Sequence, residues 1–210
     1  MEISHIGHSC FKVVGKNLTV VIDPYNPKLG LKMPKLDADV LILTHDHFDH
    51  NYKEAIKGDY LLLDSPGEYE VRESFFQGIT SFHDDKEGKE WGTNTIFTME
   101  IDGVRLCHLG DLGTELSSEQ LEAMDGVDIL MVPVGGTYTI DAKTAVKVIN
   151  DVSPKIVIPM HYKTAGSTKD DIASLDKFLG EIGEEPDTLE KLKIMKKDLP
   201  EEMKVVVLKS

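Results

Sequence analysis

The chain has 210 residues, of which 40% are hydrophobic and 29% are charged, and it carries a formal net charge of −14. A chain of this length can bury a substantial core, and its composition is ordinary for a globular protein. The negative charge argues against a nucleic-acid backbone or an anionic membrane as the main partner, because both are polyanions. The composition therefore favours a small-molecule substrate, which can itself be anionic where bound cations reverse the local field.

The chain contains two cysteines, Cys10 and Cys107, and no CxxC pair. Its first residues lack the basic and apolar regions of a cleaved signal, and no apolar run approaches the ~20 residues needed to cross a bilayer. These observations predict a protein of the reducing cytoplasm that does not contact a membrane. The sequence does not distinguish a monomer from a homo-oligomer.

The first half of the chain is rich in β-branched and aromatic residues, interrupted by Gly, Asn and Pro, which is typical of short strands. Asp23-Pro24 and Asn26-Pro27 end the third of these segments, because proline interrupts regular structure. A short helix is predicted at residues 53–56. Strands are predicted at residues 3–6, 11–14, 18–22, 40–43, 60–63, 69–76, 95–101 and 104–108.

The second half alternates predicted helices with predicted strands. Ser117 begins a helix that Gly126 ends, and residues 142–149 place several apolar side chains on one helix face. Further helices are predicted at residues 172–179 and 189–195, and strands at residues 129–132, 156–158 and 203–208. The pattern predicts a single domain over residues 1–210, of the α+β or α/β class, with two sheets and helices on their outer faces.

Four of the predicted apolar strands end in polar or glycine-rich sequence. Because ligands in α/β sheets gather at the carboxyl ends of strands, we expect these four segments to converge on a common site. The segments are His45-Asp46-His47, His108-Leu109-Gly110-Asp111, Gly135-Gly136-Thr137-Tyr138 and His161-Tyr162.

Residues 45–50 contain three histidines and two aspartates directly after an apolar run. His45 and His47 would point to the same side of an extended segment, so both can reach one cation. Asp49 and His50 follow as the chain turns and would face a second position nearby. Imidazole with carboxylate suits Zn²⁺ first and Mn²⁺ or Fe²⁺ second. The alternative, a polar surface turn, does not account for so many imidazoles.

Two adjacent ions need about six or seven protein ligands, and the rest of the chain can supply them. A water held between two zinc ions ionises near neutral pH, and the resulting hydroxide attacks an ester, lactone or phosphodiester. Asp49 and Asp111 would then be catalytic as well as ligating. The predicted ligands are His45, His47 and His83 for the first ion, Asp49, His50 and His161 for the second, and Asp111 between them.

Other polar residues are candidates for supporting roles at this site. His108 competes with His83 for the role of third histidine ligand. His8 is a catalytic candidate that would face substrate or orient a ligand, with an ordinary buried histidine as the alternative. Asp23 could orient a ligand histidine or only start a turn, and Tyr138 could polarise substrate or only lie on a surface loop.

The assembled residues resemble the metallo-β-lactamase superfamily. Residues 44–50 match its HxHxDH motif, and His83, Asp111 and His161 stand in the order of its later ligands. Within the superfamily the chain looks most like the compact branch related to L-ascorbate-6-phosphate lactonase and to uncharacterised prokaryotic hydrolases. The resemblance extends to about residue 178, and its segments include Gly7-His8-Ser9, Ile22-Asp23-Pro24, Ser65-Pro66-Gly67-Glu68-Tyr69, Leu109-Gly110-Asp111 and Pro159-Met160-His161-Tyr162.

This resemblance implies a four-layer αβ/βα sandwich of two mixed sheets, with the metals at one edge between them. It also implies a hydrolase, most simply with two zinc ions, that acts on an ester-like bond of a small to medium substrate. The segment Phe82-His83-Asp84-Asp85 departs from the family's Gly-His-Thr context around the third ligand. The alternatives are a non-catalytic metal-binding regulatory or structural protein of the same fold, and a di-iron oxidoreductase.

Overall fold

The computed structural model describes residues 1–210, which form sixteen strands and three α-helices. The strands are β1 (Glu2–Gly7), β2 (Cys10–Val14), β3 (Thr19–Ile22), β4 (Leu36–Asp37), β5 (Val40–Ile42), β6 (Ile56–Lys57), β7 (Leu61–Leu63), β8 (Gly67–Val71), β9 (Ser74–Phe82), β10 (Thr93–Ile101), β11 (Val104–His108), β12 (Ile129–Pro133), β13 (Ile156–Met160), β14 (Asp187–Leu189), β15 (Leu192–Lys193) and β16 (Lys204–Leu208). The helices are α1 (Ser118–Ala123), α2 (Ala142–Val152) and α3 (Leu175–Ile182).

Two sheets contain most of the strands. The first has six strands in the order β15-β1-β2-β3-β5-β7, and the second has eight in the order β14-β16-β13-β12-β11-β10-β9-β8. In each sheet an antiparallel part adjoins a parallel part: β3, β5 and β7 run parallel in the first, and β11, β12, β13, β16 and β14 in the second. Both sheets are therefore mixed, as predicted. The short strands β4 and β6 form a separate parallel ribbon.

The central core lies between the facing sheets. Strand β1 alternates buried and half-buried residues along its length, as expected where one face of a strand packs inward. Phe11, Phe97 and Ile158 are among the fully buried side chains of this core. Burying a side chain of this kind stabilises the fold by about 1.5–3 kcal/mol, so this layer holds the two sheets in a fixed relation. The position of any site at their shared edge is fixed with it.

The outer face of the eight-stranded sheet is covered by helices. The side chain of Asp141 accepts a hydrogen bond from the Thr144 backbone N–H (2.8 Å) and so caps the start of α2. The apolar stripe of α2, which includes Ala145 and Ile149, packs on the sheet together with Phe178 of α3. Three of the four helices predicted in this half correspond to α1, α2 and α3 and are confirmed, although α3 begins at Leu175, three residues later than expected.

The outer face of the six-stranded sheet has a different cover. Two 3-10 turns, Pro27–Leu29 and Lys53–Ala55, and the β4–β6 ribbon pack there around Tyr25, in place of an α-helix. Several prolines between residues 24 and 34 explain this, because proline removes a backbone donor and disfavours a helix before it. The sandwich architecture is confirmed, and one outer layer is built from irregular segments.

The predicted surface helix at residues 189–195 is wrong. Residues Asp187–Leu189 form β14 beside β16, and Leu192–Lys193 form β15 beside β1, so this segment crosses from one sheet to the other. Leu192 and Ile194 are buried and alternate with exposed Lys193 and Met195. This period of two is the signature of a strand, which the high charge of the segment obscured.

The predicted strand at residues 69–76 is two strands. β8 and β9 are joined by a two-residue turn at Arg72 and Glu73, which have φ angles of 49° and 63°. Tight hairpin turns of this kind require positive φ at both central residues and usually contain Asn or Gly. Neither residue type is present here, so the turn could not be recognised from sequence. No helix in the fold is both long and apolar enough to cross a membrane.

Candidate metal centre

Histidines and aspartates from both sheets meet at one edge of the sandwich. His8, Asp23, His83 and His161 directly follow the last residues of β1, β3, β9 and β13. The cluster that follows β5 and the Asp111 segment that follows β11 reach the same place. The structure therefore brings the predicted strand ends together.

A first group consists of His45, His47 and His83. One ring nitrogen from each lies within 4.8 Å of the others. The rings of His45 and His47 are 4.6 Å apart at their centroids and those of His45 and His83 are 4.8 Å apart. Asp46, between the two histidines in sequence, is exposed. The alternation predicted for this segment places both imidazoles where they can share one cation.

A second group consists of His8, Asp49, His50 and His161. Their candidate ligand atoms also lie within 4.8 Å of one another, and all four residues are buried. Nε2 of His8 lies 3.5 Å from Oδ2 of Asp49, and the His8 ring is 4.1 Å from that of His161. His8 thus joins the three residues predicted for a second ion, as an additional imidazole.

Asp111 lies between the two groups. Its Oδ2 atom is 3.2 Å from Nε2 of His50, of His83 and of His161, and 3.8 Å from Nε2 of His45. The carboxylate therefore touches members of both groups with a single oxygen. This is the placement required of a ligand shared by two ions.

The site contains many buried polar atoms without a hydrogen-bond partner. Native proteins pair most such atoms, so their concentration at one point requires an explanation. Imidazole nitrogens and carboxylate oxygens are also the atoms that zinc, manganese and iron bind. The donor set therefore fits metal ions at this edge. The unpaired atoms include Nε2 of His8, His45, His50, His83 and His161, and Oδ1 of Asp111.

His108 lies outside the cluster, although the sequence left it as an alternative to His83. Its Nε2 donates to the Ser9 carbonyl (3.0 Å), and its Nδ1 accepts from the Gly110 backbone N–H (3.1 Å). Both ring nitrogens are thus occupied within the core. The structure places His83 beside His45 and His47, and gives His108 a packing role.

Asp23 supports the second group from behind. Its Oδ2 accepts hydrogen bonds from Nδ1 of His50 (3.0 Å) and from the Thr44 hydroxyl (2.7 Å), and its Oδ1 accepts from the Thr44 backbone N–H (2.8 Å). This contact fixes the His50 ring with Nε2 towards Asp111. A carboxylate behind a ligand histidine also raises the basicity of the ring.

Asn94 positions Asp111, and its role was not predicted from the sequence. Its Oδ1 accepts from the Asp111 backbone N–H (3.0 Å), and its Nδ2 donates to the Leu109 carbonyl (2.8 Å). A Cβ atom on Gly110 would lie 2.2 Å from Asn94 Oδ1, so glycine is required between the two contacts. The available signal was an asparagine inside a predicted strand, where this residue type is depleted.

Three residues of the site have left-handed backbone conformations. The φ angles of His8, Asp23 and His161 are 53°, 47° and 52°, and each residue directly follows a strand. For a residue with a Cβ atom this conformation costs about 1–2 kcal/mol. Strain of this kind persists where surrounding structure enforces it, and it is concentrated at functional sites.

Burial and neighbouring charges set the protonation of the site. Burial lowers the pKa of His8 to about 3 and holds the pKa of His45 well below its usual value, so both imidazoles are neutral. Burial alone would raise the pKa of Asp111, but the nearby His161 and His50 outweigh it and lower that pKa. Burial alone would lower the pKa of His50, but the carboxylates of Asp111 and Asp23 outweigh it and raise that pKa. His8 and His45 are therefore neutral and Asp111 is ionised, which are the forms that bind metals.

Residues at the opening of the site include Tyr138, a predicted candidate, and Lys169, which was not predicted. The Tyr138 hydroxyl donates to Asp171 Oδ2 (2.7 Å), and Lys169 Nζ lies 3.0 Å from Asp49 Oδ2. Beside His45 and Asp46 a polar cavity of about 530 Å³ opens. Its lining includes Ser65, Thr80, Thr93 and Thr95.

Residues 2–161 match a family model described as the β-lactamase superfamily domain. A UPF0173 metal-dependent hydrolase of Thermoplasma acidophilum is 30% identical over 213 residues, which cover 87% of this chain and 92% of the relative. A UPF0173 protein of Pyrococcus abyssi is 32% identical over 186 residues, covering 79% and 85% of the two chains. The crystal structure of a provisionally assigned Zn-dependent hydrolase of the metallo-β-lactamase superfamily from Thermotoga maritima is 36% identical, with a TM-score of 0.83 over 99% of this chain and 97% of that one.

Proposed function

The chain belongs to the metallo-β-lactamase superfamily, as a metal-dependent hydrolase, and from this premise we propose that it cleaves an ester-like bond with two metal ions. The observation that carries the proposal is the position of Asp111, whose Oδ2 lies 3.2 Å from ring nitrogens of both ligand groups. A non-catalytic binding site for one ion would not need a shared carboxylate. The substrate would be a small to medium lactone, phosphodiester or related compound.

The proposed ligands follow from the two groups and the atom between them. Zn²⁺ is the preferred ion because the donors are mostly imidazole, with Mn²⁺ and Fe²⁺ as alternatives. When bound, the ions would polarise the scissile group and lower the pKa of a water molecule. The first ion would be held by His45, His47 and His83, the second by Asp49, His50 and His161, and both by Asp111.

The other residues would orient these ligands and move protons. Asp23 and Thr44 fix the His50 ring, and Asn94 fixes the Asp111 backbone. Oδ2 of Asp49 and Nε2 of His8, 3.5 Å apart, are the atoms we assign to hold the nucleophile and the leaving group by hydrogen bonds while the proton passes from one to the other. This pair is buried, which keeps bulk water away from the proton.

The two cysteines are poor candidates for a nucleophile. Both are fully buried, Cys107 in the core between the eight-stranded sheet and the helices and Cys10 under the turns that cover the other sheet. Burial raises the pKa of both thiols, so neither forms the reactive thiolate. This supports hydrolysis without a covalent intermediate on cysteine.

The test is a hydrolysis screen of lactones and bis-aryl phosphodiesters with protein of known metal content. We expect turnover in metal-replete buffer, loss of turnover and a lower Tm after chelation, and recovery when Zn²⁺, Mn²⁺ or Fe²⁺ is added back. Full activity in protein verified to contain no metal would refute the mechanism. Stoichiometric metal with no turnover on any ester would instead support the non-catalytic alternative.

A further inference from the structure

Three aromatic rings and a lysine border the metal cluster between His83 and Asp49. We call this set, Phe48, Trp91, Tyr138 and Lys169, the mouth. The Trp91 ring is 6.3 Å from the His83 ring and 5.3 Å from the Tyr138 ring, against which it lies edge-on. Lys169 Nζ lies 3.9 Å from the centre of the Tyr138 ring and 5.9 Å from that of Phe48. The four side chains therefore form one continuous surface.

The contacts of Lys169 are with residues of the site. Its Nζ lies 3.0 Å from Asp49 Oδ2, and its side chain is 18% exposed. Holding a lysine charge this far from water is costly unless a carboxylate and aromatic faces offset the cost. These partners belong to the cluster and its mouth. The position of the Lys169 charge therefore points to a role in the site and not to a role in stabilising the fold.

An ion bound at Asp49 would change the partner available to Lys169. The charge of the Asp49 carboxylate would then be offset by the metal, which weakens its attraction for the lysine. Lys163, in the same segment, already pairs with Asp170 (3.5 Å). In a protein of net charge −14, Lys169 would be a cation left without a full counterion beside the reacting group. An anionic group of the substrate could supply that counterion.

The loop that carries Trp91 is held in place before any ligand binds. Asp84 Oδ2 accepts hydrogen bonds from the backbone N–H groups of Trp91 (2.8 Å) and Glu90 (2.9 Å), and its Oδ1 accepts from Lys86 (2.8 Å) and Gly88 (2.9 Å). Four such bonds fix the loop that carries Trp91. Trp91 and Phe48 are still 43% and 47% exposed, so their faces remain available. Fixed, exposed rings bind flat apolar groups at low entropic cost.

We propose that Lys169 binds an anionic group of the substrate while Phe48, Trp91 and Tyr138 hold a flat, apolar ring of the same molecule. This rests on the proposed hydrolase function and narrows its substrate class to anionic esters that carry an aromatic or similarly flat group. Lys169 would be the specificity-determining residue, and the aromatic rings would select the body of the ligand.

Binding of non-hydrolysable probes tests the proposal separately from turnover. Trp91 is the single tryptophan of the chain, so its fluorescence reports directly on the mouth. The probes are phenylphosphonate, which is anionic and flat, methylphosphonate, which is anionic without a ring, and benzyl alcohol, which has a ring without a charge. Each is titrated into metal-loaded protein, with affinity from calorimetry and Trp91 emission recorded alongside.

Lys169→Met keeps most of the length of the side chain and removes its charge, and Lys163→Met is the matched control in the same segment. We expect Lys169→Met to weaken phenylphosphonate binding about tenfold or more, Lys163→Met to change it less than about twofold, and Lys169→Arg to restore it. Trp91→Leu should weaken phenylphosphonate and leave methylphosphonate unchanged. Wild-type protein should bind phenylphosphonate most tightly and show altered Trp91 emission.

Equal phenylphosphonate affinity in Lys169→Met, Lys163→Met and wild type would overturn the proposal, as would equal affinity of wild type for the two phosphonates. Metal content of each variant is measured by mass spectrometry. If Lys169→Met cannot be loaded even with excess Zn²⁺, Lys169 serves to place Asp49 and the proposal is wrong. If the binding pattern holds while no ester is hydrolysed, the mouth stands as a ligand site and the proposed hydrolysis fails.

Discussion

The two ligand groups of the candidate centre differ in how deeply the fold holds them. In the first group His47 is half-buried, the His45 side chain is only 3% exposed, and all three ligands are imidazoles. In the second group every residue is buried, one ligand is a carboxylate, and Asp23 fixes His50 from behind. A position built from buried, supported ligands is better preorganised than one partly open to solvent.

This difference indicates an order of metal affinity. The second position also has the negative charge of Asp49, which stabilises a dication more than a third imidazole does. We therefore expect two binding steps, with the second group filled at the lower metal concentration. Titration of metal-free protein with Zn²⁺, followed by calorimetry, would reverse this interpretation if both sites filled with equal affinity.

The largest effect on metal binding and turnover is expected from a substitution of Asp111, which lies between the two groups. Asp111→Asn keeps the shape of the side chain but removes the charge that offsets two dications only ~3.5–4 Å apart. This variant should bind at most one ion tightly and lose turnover by about 1,000-fold, because several kcal/mol of charge stabilisation is lost. Native mass spectrometry counts the ions, and two tightly held ions with wild-type activity would show that Asp111 is only a turn residue.

Removing a ligand from the first group should abolish metal binding at that group alone. His83→Ala should retain one ion at the second group and lose the ion at the first, with most of the turnover. His108→Ala is the control: it should keep both ions while losing about 2–4 kcal/mol of stability, since it leaves a cavity and an unpaired Ser9 carbonyl. Elemental analysis and thermal melts measure the two outcomes. Loss of an ion in His108→Ala with none lost in His83→Ala would reverse the assignment.

A smaller effect on metal affinity is expected from Asp23, which supports the second group. Asp23→Asn replaces an oxygen that accepts from His50 Nδ1 and the Thr44 hydroxyl, so the His50 ring is no longer fixed. Affinity at the second group should fall about 10–100-fold, and affinity at the first should be unchanged. Competition with a chelator of known affinity measures both. Equal weakening at the two groups would mean that they are not independent.

The smallest effect is expected far from both groups. The Ser117 hydroxyl accepts from the Gln120 backbone N–H (3.2 Å) and caps α1, while Gln120 closes the box by accepting from the Ser117 N–H (2.8 Å). Ser117→Ala should cost about 1 kcal/mol, or about 2–4 °C in Tm, with both ions and full activity retained. A change in metal stoichiometry in this variant would show that stability and metal loading cannot be separated in the other variants.

The sequence predicted the parts of the molecule that depend on local pattern. Apolar runs such as residues 40–43 and 156–158 mark buried strands, and polar residues immediately after them mark strand ends. Because carboxyl ends of strands meet at one edge, the convergence of His45, Asp111 and His161 follows from this pattern. The main strands of the two sheets and the helices α1, α2 and α3 were predictable from the same kind of local pattern.

The features that could not be predicted from the sequence depend on contacts between segments that are distant in the chain. Lys169 and Trp91 come close to the cluster only because two loops meet above it, and nothing in their own segments indicates this. The choice between His83 and His108 was also open, since both follow or end apolar strands. It is decided by the Ser9 carbonyl and the Gly110 N–H, which occupy the His108 ring. Residues 189–195 were misassigned because their charged composition favours helix while their pairing with β1 and β16 does not.

The left-handed backbone at His8, Asp23 and His161 bears on any attempt to rebuild this site in another protein. A designer who copies only the side chains onto straight strands would aim them in the wrong directions. The design must also reproduce a strand that ends in a sharp backbone bend. The scaffold must be rigid enough to maintain that bend at three positions. The same bends restrict which residues can replace these three in evolution, because Asn, Asp, His and Gly tolerate a positive φ angle and β-branched residues do not. The number of sequences able to carry this centre is therefore limited by its backbone before its chemistry is considered.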